Sequence, residues 1–94
     1  MSRKIIREKI IFHGRVQGVG FRYRLKFAAQ EHGLTGNIKN LYSGAVEAEI
    51  QGPRDEITSL IQEVAAMPFI KITDVDRRDI PVDEKEYTFR VEGY

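Results

Sequence analysis

The 94-residue chain contains no cysteine. It therefore has no disulfide bond, no thiolate nucleophile and no zinc site built from thiolates. Apolar residues make up 41% of the sequence, but none of their runs approaches the roughly 20 residues of a membrane span. The first six residues carry positive charge without the apolar run of a signal peptide, so we expect a cytoplasmic protein.

The distribution of charge is uneven although the net charge is only +1. Residues 1–26 hold eight of the 15 basic side chains but only one of the 14 acidic ones, Glu8. A basic segment in a nearly neutral chain indicates an anionic ligand, although most of these charges, taken singly, are expected on solvated surfaces. The length suits one domain, and we expect residues 1–94 to form a single unit.

The spacing of apolar residues predicts the order β-α-β-β-α-β with one additional strand at the end. The predicted elements are a strand at 6–13, a loop at 14–20, a helix from Phe21 to Gly33, strands at 36–41 and 45–51, a helix from 53 to 68, a strand at 70–76, a polar connection at 78–86 and a short strand at 87–91. Each helix has one apolar stripe, so both can pack on one face of an antiparallel sheet of four to five strands. This is the α+β ferredoxin-like arrangement, which by itself does not define a function.

The segment Gly14-Arg15-Val16-Gln17-Gly18-Val19-Gly20-Phe21-Arg22 joins the first strand to the first helix. Consecutive backbone N–H groups of such a loop can point into one concavity, and the start of the helix adds partial positive charge. Arg22 falls in the first helical turn, where its forked guanidinium can bind two phosphate oxygens at once. The segment therefore predicts a phosphate-binding loop. It is not a Walker loop, because no Gly-Lys-Ser/Thr ending follows.

The run from Gly14 to Arg22 resembles the signature of the acylphosphatase family. Two further blocks resemble the same family, at residues 33–40 with 43–47 and at Gln51-Gly52-Pro53. The resemblance covers the whole chain in length and element order, and its specific motifs lie in residues 14–52.

The resemblance implies an enzyme that hydrolyses the carboxyl–phosphate anhydride of acyl phosphates, with no metal and no other cofactor. The family's catalytic arginine corresponds to Arg22, and its catalytic asparagine, which orients the attacking water, corresponds to Asn40. The implied phosphate cradle consists of backbone amides, those of Arg15, Val16, Gln17, Gly18, Val19, Gly20 and Phe21. An acyl phosphate already has a good leaving group, so binding, orientation and charge neutralisation suffice and no general acid is required.

The chain departs from the family pattern at two positions, with Asn37 where Trp is usual and Ser43 where Asp is frequent. We expect Asn37 to affect packing or a pocket wall, and with it the preference among substrates. His13 and His32 have no carboxylate or thiol at ligand spacing, so we assign them structural roles and assign no metal. Tyr23 is expected on the core or the surface of the helix.

Two other function classes fit parts of the sequence. A ferredoxin-like sheet with a basic segment is typical of RNA-recognition domains, but the aromatic motif such domains carry on central strands is missing, so no nucleic-acid partner is expected. Acylphosphatase-like domains also begin larger hydrogenase-maturation proteins that process carbamoyl phosphate. Because this chain starts at Met1 and ends at Tyr94 without zinc-finger cysteines, we expect a free-standing monomeric enzyme with no membrane partner.

Overall fold

The computed structural model describes residues 3–93 and shows two helices packed against a five-stranded sheet. The elements are β1 (Ile5–Arg15), α1 (Phe21–Glu31), β2 (Thr35–Asn40), β3 (Val46–Pro53), α2 (Arg54–Ala65), β4 (Lys71–Ile80) and β5 (Phe89–Val91). This confirms the predicted α+β ferredoxin-like fold with its additional strand.

The strand order in the sheet is β4-β1-β3-β2-β5. The first four strands are antiparallel, as predicted, but β5 runs parallel to β2 and makes the sheet mixed. The reason is the path of the connection 81–88, which carries the chain from the β4 edge of the sheet to the opposite edge. β2 runs in the direction opposite to β4. A chain that leaves β4 and reverses its direction therefore enters the far edge of the sheet parallel to β2.

Several boundaries differ from those predicted, most visibly at the ends of β1 and β4. β1 continues through Gly14 and Arg15, which lie opposite Ile72 and Lys71 after a register shift, so the loop is shorter than the predicted 14–20. A Cβ atom on Gly14 would lie 2.1 Å from the carbonyl oxygen of Lys71, so the first glycine of the motif permits close strand packing. The fourth strand continues past Asp76 to Ile80, because its polar residues pair with the first half of β1.

The hydrophobic core lies between the sheet and the helices, and it fixes the start of α1. Phe12 in β1 and Phe21, the first residue of α1, are almost completely buried, and their rings meet edge to face at 5.2 Å. Such an aromatic pair adds about 0.5–1.5 kcal/mol to the stabilisation from burial alone. The N-terminus of α1 is therefore held against the carboxyl-terminal half of β1.

The connection 81–88 is attached to the sheet by a buried ion pair. Arg7 in β1 is 5% exposed and donates hydrogen bonds to Glu86 at 2.6 and 3.1 Å, and to Glu49 in β3 at 2.9 Å. Burial would lower the pKa of Arg7, but the hydrogen bonds to Glu86 and Glu49 outweigh it and raise that pKa. One of the eight basic residues of segment 1–26 thus has a structural role and is not available to an external anion.

His32 joins the end of α1 to α2 through two carboxylates. Its Nδ1 lies 2.7 Å from Oε1 of Glu56, and its Nε2 lies 2.9 Å from Oε1 of Glu63. Because both ring nitrogens face acceptors, the imidazole is doubly protonated in this arrangement. The hydrogen bonds to Glu56 and then Glu63 raise the pKa of His32 above its ordinary value of 6.5. The sequence spacing did not reveal these partners, since they come from a separate helix.

We expect this pair of contacts to make stability depend on pH. A raised folded-state pKa means that the stabilisation from His32 is fully present below about pH 6.5 and is lost as the pH rises through the folded value. The pKa of Glu56 is lowered by hydrogen bonds from His32 and Arg3, so its contribution is present above its ordinary value of 4.5 and is lost as the pH falls through the lower folded value.

The measurement is the melting temperature of wild type and His32→Gln by circular dichroism. The wild type should melt a few degrees higher at about pH 6, and the difference should shrink towards about pH 9. Gln30→Ala, at an exposed position of α1, is the control and should show no such dependence. A difference between wild type and His32→Gln that stays constant across this range would contradict the assignment.

Candidate active site

The loop 16–20 ends at the N-terminus of α1, and no side-chain hydrogen bond from the N-cap residue caps that terminus. Gly18 and Gly20 have φ values of 74° and 76°, a backbone region that favours glycine. Gly20 is the N-cap, so no side chain caps the helix, and no acidic residue occupies the first turn. The first-turn N–H groups and the positive end of the helix dipole thus remain available to an anion.

A cavity of about 220 Å³ lies at this helix terminus. The residues lining it are Val16, Gly18, Gly20, Phe21, Arg22, Tyr23 and Asn40. It is smaller than the roughly 300–1,000 Å³ of pockets that take drug-sized ligands, so it suits a small anion. Two larger hollows, of about 280 and 340 Å³, lie at residues 83–90 and beside Lys9 and contain none of these residues.

The predicted cradle residues fall into two groups. Val16, Gly18, Gly20 and Phe21 line the cavity, whereas Arg15, Gln17 and Val19 do not. Arg15 lies in β1 opposite Lys71, and the side chain of Val19 packs against the core. The Gln17 side chain points to the hairpin between β2 and β3, where it makes hydrogen bonds.

Arg22 lies in the first turn of α1, and its side chain is held by a contact to a residue near the carboxyl terminus. Its Nη1 donates a 2.9 Å hydrogen bond to the carbonyl oxygen of Glu92, and the Glu92 N–H donates to Ile38 in β2. Within residues 3–93, no carboxylate lies within ion-pair distance of Arg22. The guanidinium is therefore held in place while its charge stays uncompensated by the described chain.

Asn40 is the last residue of β2, and it lines the same cavity as the first residues of α1. Its Oδ1 is buried and accepts no hydrogen bond from any residue of the described chain. An unsatisfied buried acceptor costs about 1–3 kcal/mol. An atom of this kind beside a cavity is suited to accept a hydrogen bond from a bound water molecule or ligand.

The turn after Asn40 explains how Ser43 is accommodated. The Leu41 N–H donates to the carbonyl of Ala45, and the Ala45 N–H donates to Oγ of Ser43 at 3.3 Å.

Asn37 lies in β2 next to Ile38, which faces the core. The side chain of Asn37 is therefore on the other face of the sheet. It does not line the cavity, so of the two roles expected for Asn37 only an effect on packing is compatible with its position.

Two placements were missed from the sequence. Tyr23, expected on the core or surface of the helix, borders the cavity beside Arg22 with 54% of its surface exposed. His13 has carboxylate neighbours after all: its Nε2 lies 2.9 Å from Oδ2 of Asp76, and Asp74 completes a group whose ligand atoms lie within 4.8 Å of one another. These partners come from β4, so no local spacing in the sequence indicates them.

The fold and the site together define a small α+β protein in which a loop with two glycines at positive φ leads into a helix N-terminus that has no side-chain cap. A sequence model of the family described as acylphosphatase matches residues 8–91. An acylphosphatase from Clostridium beijerinckii is 41% identical over 93% of this chain and 98% of its own. The chain therefore belongs to the acylphosphatase family.

Solved structures agree with this assignment. The crystal structure of acylphosphatase from Bacillus subtilis superimposes with a TM-score of 0.86 and 34% identity, covering 96% of this chain and all of the other. Full-length HypF, in a phosphate- and nucleotide-bound form, matches 99% of this chain with a TM-score of 0.84 and 26% identity, although only 12% of HypF is covered. The same fold thus also occurs as a small part of a longer protein. No helix within residues 3–93 is long and apolar enough to cross a bilayer.

Proposed function

We propose that this protein hydrolyses acyl phosphates to a carboxylate and inorganic phosphate. The observation that supports the proposal is one small cavity at the N-terminus of α1 that is lined by both Arg22 and Asn40, with the buried Oδ1 of Asn40 accepting no hydrogen bond from residues 3–93. The name of the relatives that match nearly the full chain supports the same reaction.

In this proposal, the phosphoryl group binds at the start of α1. The backbone amides of those predicted cradle residues that line the cavity, Val16, Gly18, Gly20 and Phe21, donate hydrogen bonds to the phosphate oxygens, and Arg22 adds a bidentate contact. The hydrogen bond from Arg22 to the carbonyl oxygen of Glu92 limits the conformational freedom that the Arg22 side chain would lose on binding. The backbone amides and the Arg22 guanidinium also neutralise charge on the phosphoryl oxygens in the transition state.

Asn40 supplies the second half of the mechanism. Its Oδ1 accepts a hydrogen bond from a water molecule, whose oxygen then attacks phosphorus on the side opposite the acyl oxygen. The bond between phosphorus and the acyl oxygen breaks, and the carboxylate leaves with the electron pair. An amide is not a base, so the proton of the water passes to a phosphate oxygen of the substrate.

The leaving group explains why these residues suffice. A carboxylate has a conjugate-acid pKa near 4, so it departs without being protonated. Within residues 3–93, the cavity is lined by no carboxyl group and no histidine. Tyr23 contributes a phenol, a much weaker class of acid, so the lining favours a leaving group that departs without protonation. The proposal therefore includes selectivity for acyl phosphates over alkyl phosphate monoesters, and a reaction that uses no metal.

The open face of the sheet offers little support for the RNA-binding alternative. The central strands β1 and β3 present Lys9 and Ile11 next to Glu47 and Glu49 there, and the residues of these two strands on that face include no Phe, Tyr or Trp. Single-stranded RNA binding by a sheet of this type depends on aromatic side chains that stack on bases.

The direct test is hydrolysis of acetyl phosphate and benzoyl phosphate in the presence of a chelator. We expect turnover of both, unchanged by the chelator, and a rate on an alkyl phosphate monoester lower by at least about 100-fold, the contribution typical of a general acid. Activity that is lost on chelation and restored by a metal would contradict the metal-free mechanism. Equal rates on the two classes of substrate would contradict the role of the leaving group.

A further inference from the structure

The side chain of Gln17 connects the phosphate-binding loop to the hairpin that begins at Asn40. Its Nε2 donates to the carbonyl oxygen of Leu41 at 2.7 Å and to that of Ala45 at 2.9 Å. These carbonyls lie on the two arms of the hairpin, and Leu41 directly follows Asn40. Both hydrogens of one carboxamide thus bridge the end of the hairpin.

No other hydrogen bond performs this connection. Within residues 3–93, the hydrogen bonds between loop 16–20 and turn 41–45 are the two made by Gln17. The side chain is half-buried and does not line the cavity, so it has no direct access to a bound substrate. Its position indicates that Gln17 affects the distance between loop 16–20 and Asn40.

That distance matters because the two halves of the proposed site come from different parts of the chain. Loop 16–20 and Arg22 hold the phosphoryl group, while Asn40, on β2, holds the water. A displacement of about 1 Å between reacting groups can reduce a rate about 100-fold. We propose that Gln17 is a positioning residue that sets the attacking water in line with phosphorus, a role that rests on the proposed function of the site.

Substitution with methionine tests the role of the amide hydrogens. Gln17→Met keeps the length of the side chain and removes both donors. We expect kcat to fall about 10–100-fold, while KM and inhibition by inorganic phosphate change less than about threefold, since backbone amides and Arg22 bind the phosphate. Gln17→Glu, which also keeps the length but places acceptors against two carbonyls, should lose at least as much.

Gln51→Met is the matched control. Gln51, which is buried, likewise joins a connecting segment to the sheet through its carboxamide, since its Nε2 donates to the carbonyl of Asp83 at 2.9 Å, but it does not line the cavity. We expect Gln51→Met to lower the melting temperature and to leave kcat and KM near the wild-type values. A kcat loss confined to Gln17→Met separates positioning from a general loss of stability.

A double substitution tests whether Gln17 acts through Asn40. If it does, Gln17→Met combined with Asn40→Ala should be no slower than Asn40→Ala alone, because the residue being positioned is gone. Losses that multiply would overturn the proposal, and so would a folded Gln17→Met enzyme with normal kcat. If Gln17→Met does not fold, the same two criteria apply to Gln17→Glu. These outcomes differ from a failure of the proposed function itself, because in that case the wild-type protein would not hydrolyse acyl phosphates.

Discussion

Replacement of Arg22 with alanine should reduce kcat/KM for acetyl phosphate by roughly 10³–10⁵-fold, the range found for arginines that stabilise phosphoryl transfer. The guanidinium has no carboxylate partner within residues 3–93, so its charge is not compensated there. Because Arg22 is proposed to bind the phosphate in both ground and transition states, we expect KM to rise as well as kcat to fall. Inhibition by inorganic phosphate should disappear in the same variant.

Arg22→Lys separates geometry from charge. An ammonium keeps the charge but cannot form the bidentate fork, so we expect little recovery of activity. Arg24→Ala is the matched control, because Arg24 is an exposed arginine of the same helix that does not line the cavity. It should behave as wild type. A lysine variant close to wild type in kcat/KM would show that charge alone suffices. Melting temperatures are needed alongside, since Arg22 also contacts Glu92.

Asn40→Ala should show a different pattern. We expect kcat to fall about 10²–10³-fold, comparable to the loss of one preorganised hydrogen-bonding group at an active site, with little change in KM. Phosphate inhibition should persist, because the helix terminus and Arg22 are intact. Steady-state kinetics on benzoyl phosphate with inorganic phosphate as inhibitor measures both effects.

The stability of this variant is informative in its own right. The buried Oδ1 of Asn40 has no hydrogen-bond donor in the described chain, so its removal breaks no such bond and the melting temperature should not fall. Asn37→Ala, on the same strand but away from the cavity, is the control and should retain wild-type kcat. A folded Asn40→Ala enzyme with normal kcat would show that Asn40 has only a structural role at the turn. A loss of phosphate inhibition would instead place it in the phosphate-binding group.

The sequence was most informative where the relevant residues are neighbours in the chain. The alternation in β3 and the apolar stripes of both helices depend on local geometry, and each predicted its element correctly in type and approximate position. The motif from Gly14 to Arg22 is equally local, and its phosphate-binding role stays a prediction. Composition and spacing alone indicated an anion near Arg22. They offered no reason to bring Asn40 to the same place, and that association depended on the family resemblance.

Tertiary structure decided the contacts between distant residues. The parallel β5, the carbonyl of Glu92 at Arg22, and the hydrogen bonds from Gln17 to Leu41 and Ala45 all depend on sheet order and register. These features arise because the whole chain must bury one apolar face of a mixed sheet, which no short segment can specify. The sequence by itself thus predicted which group binds the anion, and only the folded chain determined which contacts place that group and Asn40 at one cavity.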